Sequence, residues 1–324
     1  MLQPARRTSS VTSLVVMAEP PWPPPAWPPG AAPPPGTTPP PGSAWTAPPP
    51  TVVPAGERVD DRSGEEPGGL PPVPATTAQG WSWMLIAAAG FVVGQLVSAV
   101  LLVVVAAATG HVHDVSRLAA RPVPPAWVVV TGLVGLWTGF VGAVVFASVT
   151  SGTGSLVRDM GLRFKPVDLL LGPGVGLVAQ FVVLPLIYFP LEQLIPHLSQ
   201  KLNQPAKHLT GGFPGTDLAV IAALTVLVVP VVEELVFRGL FLRGALRAFA
   251  GAGPLLGPVL ATVLTGVVFA LAHLEALQIL GLAVFGVALS VMAYKLRRLG
   301  PSILAHATFN LVAVVAVAAV PSLR

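Results

Sequence analysis

Residues 228–243, VVPVVEELVFRGLFLR, place two adjacent glutamates and an arginine inside an apolar run that otherwise has the character of a membrane span. A charged side chain at the centre of a span costs about 2.5–3.5 kcal/mol on insertion scales, so the three charges require an explanation. Glu234 and Arg238 are four residues apart with the acid first, the favourable order for an ion pair within one helix. Neighbouring helical residues point about 100° apart, so Glu233 is free to face another element.

The composition of the whole chain indicates a membrane protein. Of its 324 residues, 53% are hydrophobic and only 10% are charged, which is outside the usual range of soluble domains. The net charge of +4 comes from basic residues that stand singly between apolar segments, and this pattern argues against nucleic acid as a partner. Because the chain has no cysteine, disulfides, thiolate nucleophiles and Cys-based zinc sites are excluded.

Three regions follow one another along the chain. Residues 1–79 form a Pro/Gly/Ala-rich N-terminal tail that we predict to be disordered, serving as a spacer or as a docking site for a partner that reads proline and aromatic residues. Residues 80–210 hold N-terminal transmembrane helices, and residues 211–324 hold the candidate catalytic core. The sequence thus predicts an all-α fold, a polytopic transmembrane helical bundle embedded in the lipid bilayer.

About seven apolar segments approach the length of about 20 residues that crosses the hydrocarbon of a bilayer. Their approximate limits are 83–108, 127–149, 167–189, 218–237, 257–274, 277–294 and 301–320.

Basic residues in the loops predict the orientation of the chain. The loops on the side of the N-terminus hold more of them than the opposite loops, which is typical of cytosolic loops. We therefore expect a multi-pass integral protein of the plasma membrane, in a bacterium, with a cytosolic N-terminus and an outward C-terminus. The residues on the predicted cytosolic side are Arg158, Arg163, Lys165, Arg243, Arg247, Lys295, Arg297 and Arg298, and those outside are Arg117, Arg121, Lys201 and Lys207.

Two later spans carry polar residues at helical spacing. The segment FALAH puts Phe269 and His273 on one helical face, and HATFN does the same for His306 and Asn310. Counted from the basic residues at the predicted cytosolic boundary, Glu233 and His306 lie about 15 and about 12 Å deep, so these two side chains can meet. His273 falls about 24 Å deep on the same count, so its approach to Glu233 is a prediction and not a consequence of spacing.

A carboxylate beside imidazoles in a pocket of low dielectric is suited to activate a water molecule as a general base. Asn310 or an imidazolium can donate a hydrogen bond to the oxyanion of a tetrahedral intermediate. Together these groups indicate peptide hydrolysis inside the membrane. Glu233, His273 and His306 also supply the ligand set of a catalytic Zn²⁺ site, so metal-dependent and metal-free mechanisms are both open.

Two other classes of protein fit the same residues. In a proton- or ion-coupled transporter, Glu233, His273 and His306 would form a relay, and discontinuous helices with paired repeats would favour that function. In a non-catalytic membrane scaffold or immunity-type protein, the tail would recruit partners, and the intramembrane polar residues would only hydrogen-bond between helices.

The three motifs, Glu233-Glu234-x-x-x-Arg238, Phe269-x-x-x-His273 and His306-x-x-x-Asn310 in this order on successive spans, resemble the CPBP family. This family comprises CAAX proteases and bacteriocin-processing proteins and is also called the Abi family. The resemblance covers about residues 218–317. It implies an all-helical intramembrane endopeptidase that acts on a membrane-associated or lipid-modified protein or peptide.

The same resemblance implies a role for each motif residue. Glu233 would activate the water with His273, and His306 and Asn310 would stabilise the oxyanion. Glu234 and Arg238 would form a supporting ion pair. Because members of the family are described both as metalloproteases and as glutamate-dependent proteases, the resemblance leaves open whether zinc is used.

Overall fold

The structure of the protein is a computed structural model, and it describes residues 75–121, 124–202, 204, 213 and 215–319. In this part of the chain the regular structure consists of helices and contains no strand, which confirms the predicted all-α fold. Residues 1–74 of the predicted tail lie outside the described residues.

The first helix begins inside the region assigned to the tail. It starts at Thr77, and Thr76 caps it. The hydroxyl oxygen of Thr76 accepts a hydrogen bond from the backbone N–H of Gln79, while the Gln79 side chain accepts one from the backbone N–H of Thr76. This reciprocal capping box satisfies two backbone donors that no helical carbonyl can reach, so the helix begins three residues before the predicted boundary.

Counting this first helix, the described part of the chain contains ten helices, besides the short 3₁₀ helix Ala250–Ala252. In chain order they are α1 (Thr77–Ala108), α2 (Val115–Ala119), α3 (Ala126–Ser151), α4 (Leu156–Met160), α5 (Asp168–Glu192), α6 (Leu198–Leu202), α7 (Gly215–Ala248), α8 (Leu256–Ala272), α9 (Ile279–Leu296) and α10 (Gly300–Ala319).

Five of these helices, α1, α3, α5, α7 and α9, are long and apolar enough to cross a membrane. The two remaining apolar helices are shorter: α8, and the segment Gly300–Ala316 of α10. The seven predicted spans therefore correspond to seven apolar helices, and the protein is an integral membrane protein. The two short helices are the ones that lead to His273 and carry His306.

Glycines allow the helices to pack closely. Gly139 of α3 faces Gly90 and Gly94 of α1, and a Cβ atom added at Gly139 would collide with the backbone of both α1 glycines. Gly135 of α3 lies in the same way against Ser98 of α1. Small residues on facing surfaces let helix backbones approach each other in a membrane, where burial of apolar area alone does not favour association. Glycines also allow α5 to pack closely against α10, because Gly172 and Gly176 contact the backbone of α10.

The central helix, α7, is interrupted twice by π-helical turns, at Leu224–Val228 and at Leu235–Phe241. Pro230 explains the first, since a proline cannot donate to the carbonyl four residues earlier and its ring clashes with that carbonyl. A π turn carries one more residue than an α turn, so each interruption rotates the side chains that follow. The predicted span ended at residue 237, whereas the helix continues to Ala248 and packs there against α1.

Candidate active site

Glu233 lies between two histidines from different helices. Its Oε2 atom is 3.8 Å from Nε2 of His273 and 3.8 Å from Nε2 of His306. Both distances exceed hydrogen-bond length, and Oε2 is buried with no hydrogen-bond partner. The Glu233 side chain nevertheless keeps 15% of its surface exposed and that of His273 keeps 29%. The three atoms thus surround a common space that remains partly accessible.

The backbone of α8 fixes the orientation of the His273 ring. His273 directly follows the last residue of α8, and its Nδ1 atom lies 2.8 Å from the carbonyl oxygen of Phe269. A carbonyl oxygen only accepts, so Nδ1 carries the proton of this hydrogen bond. In the neutral ring Nε2 therefore presents a lone pair towards Glu233.

His273 reaches Glu233 because α7 and α8 share a connection that lies beyond Arg243. Glu233 lies fifteen residues before the end of α7, and His273 lies seventeen residues after the start of α8. At the helical rise these separations are about 22 and about 26 Å, so the two side chains come to a similar level. The prediction placed His273 deeper than Glu233 because it assumed that Arg243 and Gly257 lie at the same membrane boundary. That assumption was wrong, since α7 continues for five residues past Arg243.

The predicted ion pair between Glu234 and Arg238 is present and fully buried. Nη1 of Arg238 donates to Oε1 of Glu234 over 2.7 Å, and both side chains are 0% exposed. Nη2 of Arg238 donates to the carbonyl oxygen of Gly286 in α9 over 3.0 Å. The pair therefore also joins α7 to α9.

Glu234 has a second partner that sequence reasoning missed. Its Oε1 atom lies 3.1 Å from Nδ1 of His306, a residue of which 3% is exposed. An ionised carboxylate only accepts hydrogen bonds, so Nδ1 of His306 carries the proton and Nε2 faces Glu233. Glu234 thus holds the ring of His306 in the orientation that brings it to Glu233.

Phe269 forms the apolar wall of the site. Its ring makes edge contacts with His273 at 4.6 Å and with His306 at 5.6 Å between ring centroids. The guanidinium carbon of Arg238 lies 4.4 Å from the centroid of the same ring, within the range of a cation–π interaction. The Phe269-x-x-x-His273 spacing predicted a common helical face, but not that Phe269 contacts three of the polar residues.

Asn310 bonds to the backbone of α7. Its Nδ2 atom donates to the carbonyl oxygen of Thr225 over 2.9 Å, and Thr225 belongs to the first π-helical turn. The structure therefore brings Asn310 to α7, and an amide group has a second hydrogen left to donate. No hydrogen bond joins Asn310 to Glu233 or to either histidine among the described residues.

The three predicted zinc ligands do not fit Zn²⁺ in this arrangement. In a tetrahedral site with ligand distances of about 2.0–2.1 Å, two donor atoms lie about 3.3 Å apart, whereas Glu233 stands 3.8 Å from each imidazole nitrogen. Within the described residues, no group of three or more His, Asp or Glu side chains has the geometry of a metal site. A water molecule at about 2.8 Å from each donor spans a gap of this size.

The fold and the site define a polytopic helical membrane protein with one carboxylate placed between two imidazoles inside the bundle. Residues 215–312, which include all six predicted site residues, match the model of the family described as type II CAAX prenyl endopeptidase Rce1-like. This match confirms the resemblance of the three motifs to the CPBP family and indicates a CAAX-type intramembrane protease. No curated protein and no solved structure shows significant similarity to the chain.

Proposed function

We propose that the protein is an intramembrane endopeptidase that hydrolyses a peptide bond of a membrane-associated or lipid-modified protein or peptide with a water molecule activated by Glu233. The observation that carries this proposal is the position of Oε2 of Glu233, which is buried, without a partner and equidistant from the Nε2 atoms of His273 and His306. The matching family, described as a prenyl endopeptidase family, supports a lipid-modified substrate.

The hydrogen-bond character of the three atoms favours a water molecule as the species between them. With His273 neutral and protonated at Nδ1, its Nε2 atom and the Glu233 carboxylate are acceptors, while a protonated His306 presents a donor at Nε2. Water has two hydrogens to donate and an oxygen lone pair that stays free for attack. Glu233 and His273 accept these hydrogens, since both side chains are partly exposed.

The reaction has two steps, the attack of water and the departure of the amine, and each step requires one proton transfer. Glu233 takes a proton from water while the water oxygen bonds to the scissile carbonyl carbon, which turns the carbonyl oxygen into an oxyanion. Protonated Glu233 then gives the proton to the departing amine nitrogen as the C–N bond breaks. The sum is peptide plus water giving a carboxylic acid and an amine.

His306 and Asn310 are the proposed donors to the oxyanion. Nδ1 of His306 is occupied by Glu234, so a protonated His306 has only its Nε2 hydrogen to offer, and that atom faces Glu233. The second amide hydrogen of Asn310 is the other donor, since the first is bonded to Thr225. Fixed donors aimed at a developing charge are worth about 2.7–4 kcal/mol each in acyl transfer.

Glu234 and Arg238 act as positioning residues in this mechanism. Arg238 stabilises the charge of Glu234, and Glu234 orients His306. We propose the metal-free form of the mechanism, because the separations of 3.8 Å accommodate water better than a tetrahedral zinc ion.

The proposal is tested by a peptidase assay with the purified protein in liposomes. Prenylated peptides and the same peptides without the lipid are incubated with the wild-type protein, and mass spectrometry identifies the products. We expect cleavage of a lipid-modified peptide that persists after chelation, with less than one zinc ion per chain by elemental analysis. Activity that is lost on chelation and restored by Zn²⁺ would replace the metal-free mechanism, and proton flux without any cleavage would favour the transporter.

A further inference from the structure

Arg243 is a buried cation without a direct partner among the described residues. Only 6% of the residue is exposed, and its Nη1 atom is buried with no hydrogen-bond partner. Two other arginines nearby are paired: Arg238 with Glu234 at 2.7 Å and Arg298 with Asp168 at 2.6 Å. Asp168 accepts three hydrogen bonds from Arg298, which raises the pKa of that guanidinium. Arg243 has no such carboxylate at ion-pair distance.

The nearest acid is already occupied. Asp159 and Arg163 are the charged groups that act electrostatically on Arg243, and their effects oppose each other. The carboxylate of Asp159 accepts four hydrogen bonds, one from the hydroxyl of Ser148 and three from Thr153. Asp159 therefore fixes the turn after α3 and does not bond to Arg243.

Arg243 lines a small cavity between α7, the end of α9 and the connection that precedes α10. Arg238 and Arg298 line the same cavity, and the rest of its wall consists of Tyr294 and aliphatic side chains. Nε of Arg238 is a second buried donor without a partner. The cavity thus has three guanidinium groups and no carboxylate in its wall, and two of those groups hold an unused buried N–H.

The size of the cavity restricts what it can bind. Its volume of about 10 Å³ is room for about one water-sized particle. A water molecule would satisfy a donor but would leave Arg243 without a counter-ion in direct contact, and a buried charge without a paired counter-ion is strongly destabilising. A phosphate group, with four oxygens around phosphorus, exceeds the space.

We propose that this cavity binds one small inorganic anion of the size of chloride, which serves as the counter-ion of Arg243. The anion accepts hydrogen bonds from Nη1 of Arg243 and Nε of Arg238, both on α7, and so compensates the buried charge on the side of α7 that faces the cavity. The site is separate from Glu233, which lies ten residues earlier in α7, and the inference does not depend on the proposed protease activity.

The test compares thermal unfolding of the full-length detergent-solubilised protein in sodium chloride and in sodium gluconate at equal ionic strength and pH. A bound anion stabilises the folded state by mass action, so we expect a saturable rise in Tm of about 3 °C or more with chloride or bromide and none with gluconate. Arg243→Gln should abolish the rise. Arg247→Gln is the matched control, because Arg247 lies one turn further along the same helix, is exposed and bonds to the carbonyl oxygen of Ala75; it should retain the rise.

A second measurement tests the proposed anion site even if Arg243→Gln fails to fold. Equilibrium dialysis of the wild-type protein against radioactive chloride should give about one bound ion per chain, displaced by bromide. An equal Tm in chloride and gluconate, or the absence of stoichiometric chloride, would overturn the proposal. Stronger stabilisation by phosphate than by chloride would overturn the argument from size, and equal effects of the two arginine variants would overturn the assignment to Arg243.

Discussion

At the scale of single residues, the second glutamate of the first motif connects the two halves of the site. Glu234 accepts from Arg238 on its own helix and from His306 on α10 through the same oxygen, Oε1. Adjacent glutamates thus serve different neighbours: Glu234 holds His306 from one side, and Glu233 faces the free nitrogen of the same ring. The ion pair of Glu234 with Arg238 limits the free-energy cost of burying charge inside the bundle. The contact of Glu234 with His306 fixes the orientation of that imidazole ring.

Replacement of Glu234 by glutamine should separate these two contributions. The amide keeps the shape of the side chain but leaves Arg238 as an uncompensated charge that is fully buried, so we expect the free energy of unfolding to fall by about 3–5 kcal/mol. The loss of the group that orients His306 should reduce the rate of hydrolysis about 10- to 100-fold, as for other residues that orient catalytic groups.

The double variant Glu234→Gln with Arg238→Met provides the control for this prediction. Removal of both charges should recover much of the lost Tm, since a buried pair replaced by an apolar group of similar volume is often neutral. Activity should not recover, because His306 still lacks its partner. If activity returned together with Tm, Glu234 would have only a stabilising role.

At the scale of helices, close backbone contacts hold α1 against α3. Gly139 of α3 lies against the backbone of α1, and no side chain between them can yield. Gly142 lies on the same helix, less than one turn further on, and has nothing within 4 Å of an added Cβ.

Gly139→Ala should therefore destabilise the protein, and Gly142→Ala should not. The methyl group at residue 139 would push α1 and α3 apart, with an expected cost of about 1–3 kcal/mol, the usual cost of overpacking. At residue 142 alanine should be neutral or stabilise by up to about 1 kcal/mol, because it favours the helix. Thermal unfolding in one detergent measures both; equal values of Tm would contradict the close approach of the two helices.

The helices themselves were predictable from the sequence, and so was the ion pair within α7. Apolar length predicted seven helices, and the spacing of four residues predicted the contact between Glu234 and Arg238. Spacing within one helix does not give the register between helices. That register depends on where each helix begins, and the sequence did not reveal that α7 continues to Ala248.

The contacts across helices were correspondingly harder to predict. The bond between Glu234 and His306 and the bond between Asn310 and Thr225 each join residues more than 70 positions apart. The π-helical turns of α7 also change which side chains face α10, and regular helical spacing cannot represent them. Pro230 is the one local signal that an interruption lies nearby.

At the scale of the whole molecule, the two ends of α9 predict which loops lie on opposite sides of the membrane. Gln278, just before α9, donates to the carbonyl oxygen of Leu202 over 2.7 Å. The segment around Lys201 therefore lies at the N-terminal end of α9. Lys295 lies in its last turn. If α9 crosses the membrane, these two lysines are on opposite faces, and the positive-inside rule predicts that Lys295 is cytosolic.

Labelling of introduced cysteines tests this orientation, and the chain has no native cysteine to interfere. Lys201→Cys and Lys295→Cys replace exposed residues. A membrane-impermeant maleimide added to intact cells should label residue 201 and not residue 295, and both should react after permeabilisation. The opposite pattern would show an outward N-terminus, and labelling of both in intact cells would show that α9 does not span the membrane.

The central claim, that Glu233 activates water for peptide hydrolysis, is tested most directly by the rate of cleavage by Glu233→Gln in liposomes. Glu192→Gln makes the same chemical change at an exposed residue at the end of α5, and equal Tm values establish that both variants are folded. Loss of a general base should lower the rate at least about 100-fold, while Glu192→Gln should remain within about twofold of the wild type, as expected for a residue outside the site. Cleavage by Glu233→Gln at the wild-type rate would contradict the assignment of Glu233 as the base.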